Sequence, residues 1–475
     1  MKTKIILIVI LFQISAFSKA SDFTLNNIFA SNMVLQQQAK VLIWGKAKKG
    51  IKVDIKTSWN NQSYFVKADK NGNWQAYVST IEAGGPYEVN VSTKDTTVLL
   101  KNILLGEVWL CSGQSNMEMP LRSFMGQTVI GGNREIALAS KYKNIRIFQA
   151  EQAKSESLVD TLTVWHTWAE VNSKTVSRFS AVGWFFGKFL SEALGNNIPI
   201  GLVEIVWGGT PAELWVSNKS MSKITEIASD SVLAKSSHYG PLKPSMLYNA
   251  MINPVIKFNI KGAIWYQGEA NVKRQEYYEK LFGLLINDWR SSWGYDFPFY
   301  FVQIAPYHYY NKNSAFLREA QFNVMQNVKN TGMVSTLDIG GWGRIHPGHK
   351  KEVGERLAYW ALAKDYGFEG VGYDAPHYDY LEVKDTLALV YFKGDIAEAN
   401  EEQLNGCFEI AGKDSVFYPA KAKIREWKNF AEVWSDSVSK PIAVRYCFKT
   451  WCVGKLFGTN ELPVSSFRTD NWENK

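Results

Sequence analysis

The sequence predicts an α/β protein: a parallel sheet with helices on both faces, flanked by β-sandwich regions. Three observations carry that prediction. Residues 106–367 alternate short apolar runs with stretches of helical length and period. The segments on either side show short alternating strands punctuated by Gly, Asn and Asp. The 475-residue length is enough for two to four domains.

In chain order, Lys2 and Lys4 precede an apolar run from Ile5 to Phe17 and the small-residue stretch Ser18-Lys19-Ala20. This reads as a signal peptide over residues 1–20, cleaved after Ala20, which places the mature chain in the periplasm or outside the cell. The run is too short to span a bilayer, and no later stretch approaches the roughly 20 apolar residues a membrane helix needs. Residues 21–105 carry Val41–Trp44, Lys52–Lys56, Tyr64–Val66 and Tyr87–Val91, the spacing of a small N-terminal β-sandwich. The central region, 106–367, predicts strands at 108–111, 145–148, 199–206, 262–266, 298–304 and 333–337. Helices are predicted near 181–194, 275–290 and 348–365. Residues 368–475 return to a β-rich pattern at Leu387–Phe392 and Ile442–Tyr446.

Net charge is +8, and three lysines leave with the signal peptide, so the mature chain is only mildly basic. With no arginine-rich stripe, nucleic acid is a poor partner, and no membrane association is expected. Cys447 and Cys452 can pair in an oxidising compartment, whereas Cys111 reads as core. The 18 tryptophans fit a core before they fit a sugar-stacking surface.

Four polar clusters fall at the carboxyl ends of predicted strands, where ligands sit in open α/β sheets. Gly113-Gln114-Ser115-Asn116-Met117 places a serine on a glycine-led turn before a helix start, a candidate nucleophile with N–H groups for an oxyanion, or an ordinary helix N-cap. Met117 stands where the α/β-hydrolase elbow needs glycine, so a different serine-hydrolase architecture is implied. Gly208-Gly209 allow close backbone approach to a ligand. Gln267, Glu269 and Asn271 crowd an apolar strand end and need partners or a ligand. Asp338 and Arg344 lie in the loop that carries His346, which sits between glycines and Pro347 and is a candidate base. A nucleophile, donors and a base thus share one rim of the sheet. Metal hydrolysis competes poorly, because His346 and His349 lack a carboxylate at ligand spacing.

These clusters, with Met33-Val34-Leu35-Gln36, Trp44-Gly45, Trp207–Glu213, Tyr248–Ile252, Trp265–Glu269, Arg318–Gln321, Ile345-His346-Pro347 and Phe467–Asp470, resemble the sialate O-acetylesterase group of SGNH-type carbohydrate esterases. The resemblance runs over nearly the whole mature chain. It implies a flavodoxin-like SGNH-hydrolase sheet, no cofactor, and an O-acetylated sugar as substrate. It implies Ser115 as nucleophile, His346 as base, and an oxyanion hole from the Ser115 N–H, the Gly208-Gly209 turn and Gln267. Gln114, Glu269, Asn271 and Arg344 would line the same site. Relatives carry acids five and two residues before the histidine, where this chain has Gly341 and Arg344, and many SGNH enzymes carry one three before it, where Gly343 stands. Asp338 is the acid that remains in the loop. Either it orients His346, or a Ser-His dyad works with a backbone carbonyl at the imidazole. The sugar is left open between O-acetylated sialic acid and acetylated xylan or another glycan, and a glycan-binding protein without turnover is the alternative of another class.

Overall fold

The long strand Thr97–Gly113 decides the architecture. Its first residues alternate in exposure, as on a sheet with one wet face; from Ile103 to Gly113 every residue is buried, as on a sheet covered on both faces. The sequence changes accordingly, from TVLLKN to ILLGEVWLCSG. From Thr97 to Leu105 it pairs antiparallel with Gly84–Ser92, and Leu104–Gly106 pair parallel with Val34–Gln36. In the second part it is the centre of the parallel sheet. The expected domain boundary at 105/106 therefore falls inside one continuous strand. The computed structural model describes residues 23–124, 126–224, 242–309, 312–425 and 427–472. The expected signal peptide lies outside the described residues.

The core sheet runs in the order Val164–Glu170, Ile145–Ala150, Ile200–Val206, Thr97–Gly113, Gly262–Tyr266, Phe299–Val302, Thr331–Val334. All neighbours are parallel except the edge pair Val164–Glu170 with Ile145–Ala150. The five strands from Ile200–Val206 to Thr331–Val334 stand in the 2-1-3-4-5 order of a doubly wound sheet, whose switch point lies between Thr97–Gly113 and Gly262–Tyr266.

Side-chain alternation sends Leu110, Trp265, Phe299 and Phe301 into one buried cluster, where Phe282, Leu285 and Trp289 of helix Tyr278–Trp293 and Leu317 of helix Ala315–Asn327 cover them. Trp109, Cys111, Tyr266, Tyr300 and Val302 enter the other, under Trp184 and Phe185 of helix Ala181–Ala193 and Leu357 and Ala361 of helix Lys350–Asp365. Each such side chain is worth about 1.5–3 kcal/mol on burial. No helix among the described residues is long and apolar enough to cross a membrane.

The C-terminal region forms a seven-stranded antiparallel sheet. It is bolted to the core by Arg318, fully buried, which donates to the carbonyls of Cys447 and Lys449 and to Ser466 Oγ. A disulfide joins Cys447 to Cys452, and Cys111 is a free core cysteine, as the compartment argument allowed. Trp451 inside the disulfide loop packs edge-on against Trp342, which stacks on His308 at 4.1 Å.

Candidate active site

Ser115 leaves the strand end on a turn that only glycine permits. Gly113 has φ 139°, and a Cβ there would lie 2.2 Å from the Tyr266 carbonyl oxygen of the neighbouring strand. Gln114 is extended, and Ser115 opens a single helical turn, Ser115–Glu118. Gly208 sits against it: a Cβ on that residue would come within 3.2 Å of Ser115 Cβ. Ser115 is half-buried and lines a cleft of about 1390 Å³ at the carboxyl edge of the sheet. Gln114, Gly208, Gly209, Glu269 and His346 line the same cleft.

Neither the Ser115 nor the Gly209 N–H has an acceptor among the described residues, so both are open to a ligand. The Gly208 N–H is taken: it donates to Glu118 Oε2 at 2.5 Å, and Gln152 holds the other carboxylate oxygen at 3.0 Å. Glu118 stands three residues after Ser115 on the same helical face. Burial raises its pKa, against the pull of those two donors. Gln114 turns its Oε1 to the N–H groups of Gly268 and Ala270, tying the serine turn to the next strand end.

His346 is buried, with its backbone N–H on Gln127 Oε1 at 3.1 Å and the Phe124 ring edge-on at 5.3 Å. Burial, then the Lys350 ammonium, lower its pKa to about 4. Its Nδ1 is sealed from solvent without a hydrogen-bond partner, and no hydrogen bond joins Ser115 to it.

Three of the expected site residues are engaged elsewhere. Asp338 forms a bidentate pair with Arg356, 2.9 and 2.7 Å, and makes no hydrogen bond to His346; the guanidinium of helix Lys350–Asp365 competes successfully for it. Gln267 is fully buried behind the cleft, donating to Asn271 Oδ1 and the Thr210 carbonyl and accepting from Tyr278, so it has no free donor for an oxyanion. Asn271, equally buried, bonds Gln267, Ala212 and Glu213 and serves the scaffold. Arg344 is exposed and off the cleft lining.

The cleft also holds residues that pattern reading passed over. Arg274 donates Nε to buried Glu213 at 3.0 Å, while its Nη2 has no partner. Arg122, Arg178, Lys273 and Lys312 line the rim, exposed and without ion pairs among the described residues. Trp165, 51% exposed, also lines the cleft. Glu204, at the floor, is pushed up to about 8 by burial. Spacing along the chain gives no signal for these residues, because they come from strands, turns and loops far apart in sequence that only the fold brings together.

The doubly wound sheet carries a serine and a histidine on the lining of one cleft at its switch edge, an arrangement that suits a hydrolase but that the fold alone does not assign. The model of the family "carbohydrate esterase, sialic acid-specific acetylesterase" matches residues 105–363, and the chain belongs to that family. A carbohydrate acetylesterase from Xanthomonas citri superposes with TM-score 0.82 at 31% identity, covering 95% of this chain and 100% of its own. The human sialate O-acetylesterase is 28% identical over 478 residues, 91% of this chain and 89% of its own length. The mouse enzyme is 28% identical over 483 residues, 88% of each. The protein is an esterase.

Proposed function

We propose that the chain is an exported SGNH-type enzyme that removes O-acetyl groups from sialic acid, with Ser115 as nucleophile and His346 as general base. The observation that carries this reading is the cleft itself, where Ser115, two backbone donors without acceptors among the described residues, and His346 lie under a rim of cations. Sialic acid has a carboxylate, and Arg122, Arg178, Lys273, Arg274 and Lys312 suit an anionic sugar better than neutral xylan.

With Nδ1 sealed, Nε2 is the imidazole nitrogen left to meet the nucleophile. It takes the Ser115 proton as Oγ attacks the acetyl carbonyl. The N–H groups of Ser115 and Gly209 receive the oxyanion, and His346 returns the proton to the departing sugar oxygen. Water then attacks the acetyl-serine and loses a proton to His346, which passes it to Ser115 Oγ as the acyl–oxygen bond breaks and acetate leaves, restoring the free serine and the neutral imidazole. Hydrogen bonds to a general base often form only around substrate, so the lack of one between Ser115 and His346 among the described residues does not count against the pair.

The test is acetate release from O-acetylated sialic acid and from acetylated xylan, by the wild type and by Ser115→Ala. Loss of release in Ser115→Ala supports the acyl-enzyme mechanism, and the preferred sugar names the substrate. Failure of the wild type even on a small activated acetyl ester would overturn the assignment of Ser115 and His346 as nucleophile and base.

A further inference from the structure

In a serine-hydrolase triad, an acid on the far nitrogen of the histidine holds the ring in place. Here the candidate acid belongs to Arg356 and the nitrogen is bare. The main chain on either side of the ring is gripped instead. Asn116, next to Ser115, donates Nδ2 to the Ile345 carbonyl at 2.9 Å, one residue before His346. The same Nδ2 donates to Glu269 Oε1 at 2.5 Å, and Asn116 Oδ1 accepts from Lys350 Nζ at 2.5 Å. The ammonium also lies 5.2 Å from the centre of the Tyr266 ring.

Asn116 is fully buried, Lys350 is 1% exposed and Glu269 is 9% exposed. Burying an ammonium and a carboxylate costs several kcal/mol per ion, and an amide between them recovers only part of that. An apolar trio would fill the space more cheaply, so stability alone gives no reason for these groups. Their geometry does: each comes from the chain that follows a different strand of the sheet, and together they set which way the Asn116 amide faces. Lys350 takes its oxygen and Glu269 its nitrogen, which leaves the second amide N–H aimed at the backbone of the histidine loop.

We propose that Lys350, Asn116 and Glu269 form a positioning relay that replaces the triad acid, holding the backbone at Ile345 so that the imidazole of His346 is presented to Ser115. The relay rests on the reading of Ser115 and His346 as nucleophile and base. None of its members need touch the substrate for it to act.

The experiment is a double-mutant cycle on hydrolysis of a small activated acetyl ester, with Asn116→Ala and His346→Ala alone and together. Displacing a base by about 1 Å costs on the order of 100-fold in rate, so Asn116→Ala is expected to lower kcat by about that factor with KM little changed. In the His346→Ala background it is expected to lower kcat no further, because a relay that acts through the base has nothing left to position. A loss that multiplies in full on top of His346→Ala, or an unchanged kcat in Asn116→Ala, overturns the relay. If His346→Ala itself retains wild-type kcat, the base assignment fails, a result separate from failure of the relay. Should Asn116→Ala not fold, Lys350→Met combined with Glu269→Gln removes both charges together and enters the same cycle with the same expectations.

Discussion

The imidazole of His346 is asked to stay neutral in a cleft rimmed by cations, and burial with the Lys350 ammonium beside it does this by lowering its pKa to about 4. A base must be unprotonated to accept the Ser115 proton, so protonation silences it only below about that pH. The acid limb of kcat/KM is therefore expected near pH 4, with activity level from about pH 5 to 7, where an ordinary histidine of pKa ~6.5 would already have lost much of it. The sign for stability is the companion result. The folded state binds this proton less readily than the unfolded chain, so the contribution of His346 to stability is present above ~6.5 and is lost as pH falls toward 4. A pH–rate profile checks the first expectation: a limb near 6.5 would mean that the imidazole is solvated or paired in solution. Lys350 belongs to this scale too. Burial pulls its pKa down to about 7, against the pull of Glu269.

Among the elements, strand ends were legible and loop partnerships were not. Apolar runs between glycines located Ile200–Val206 and Gly262–Tyr266 almost to the residue, because a strand buried on both faces tolerates few polar side chains. Helix Ala315–Asn327 escaped pattern reading: its inward face carries Arg318 and Gln321, both fully buried, which interrupt the apolar stripe. The edge strand Val164–Glu170 escaped as well, since it leaves Trp165 and Glu170 exposed and pairs with a bulge. At the site, position in the chain led to Ser115, the Gly208-Gly209 turn and His346, which line one cleft. It misdirected Gln267, Asn271 and Asp338, because hydrogen-bond partners far away in sequence decide where a buried polar side chain points. Asp338 illustrates the difference in a measurable way. Its pair with Arg356 spans the histidine loop and helix Lys350–Asp365, both side chains 12% exposed. Asp338→Asn is expected to cost about 3 kcal/mol of stability by leaving that guanidinium unpaired, read as a lower Tm, while kcat stays within a few-fold of wild type. A drop of about 10⁴-fold in kcat at unchanged Tm, the size of a lost triad acid, would return Asp338 to the catalytic machinery.

At the scale of the whole molecule, the flanking β-regions reach the cleft through packing. The disulfide loop holds Trp451 on Trp342 and Trp342 on His308, which lines the wall, while Asn313 and Thr450 tie the same loop to the chain around Lys312. This wall and the opposite one, with Trp165 and Arg178, frame a mouth whose charge is mostly positive. The rim acid Glu151 faces five cations, and burial raises the pKa values of the carboxyls deeper in, Glu118, Glu204 and Glu269. Such a field draws an anionic sugar toward the cleft and is screened by salt, whose Debye length shrinks from ~14 Å at ~0.05 M to ~4 Å at ~0.5 M. If the substrate carries a carboxylate, kcat/KM for it is expected to fall several-fold over that range, while kcat/KM for a neutral acetyl ester stays level. Arg122→Gln with Arg178→Gln is expected to flatten the salt response, because both are exposed and without ion pairs among the described residues. Arg274→Gln, by contrast, is expected to lower affinity for the acidic sugar at every ionic strength, since its guanidinium is part-buried against Glu213 and poorly screened. Equal salt responses for acidic and neutral substrates would sink the electrostatic account and leave the rim cations as solvated surface, with the preferred sugar then chosen by the shape of the cleft and the Trp165 face.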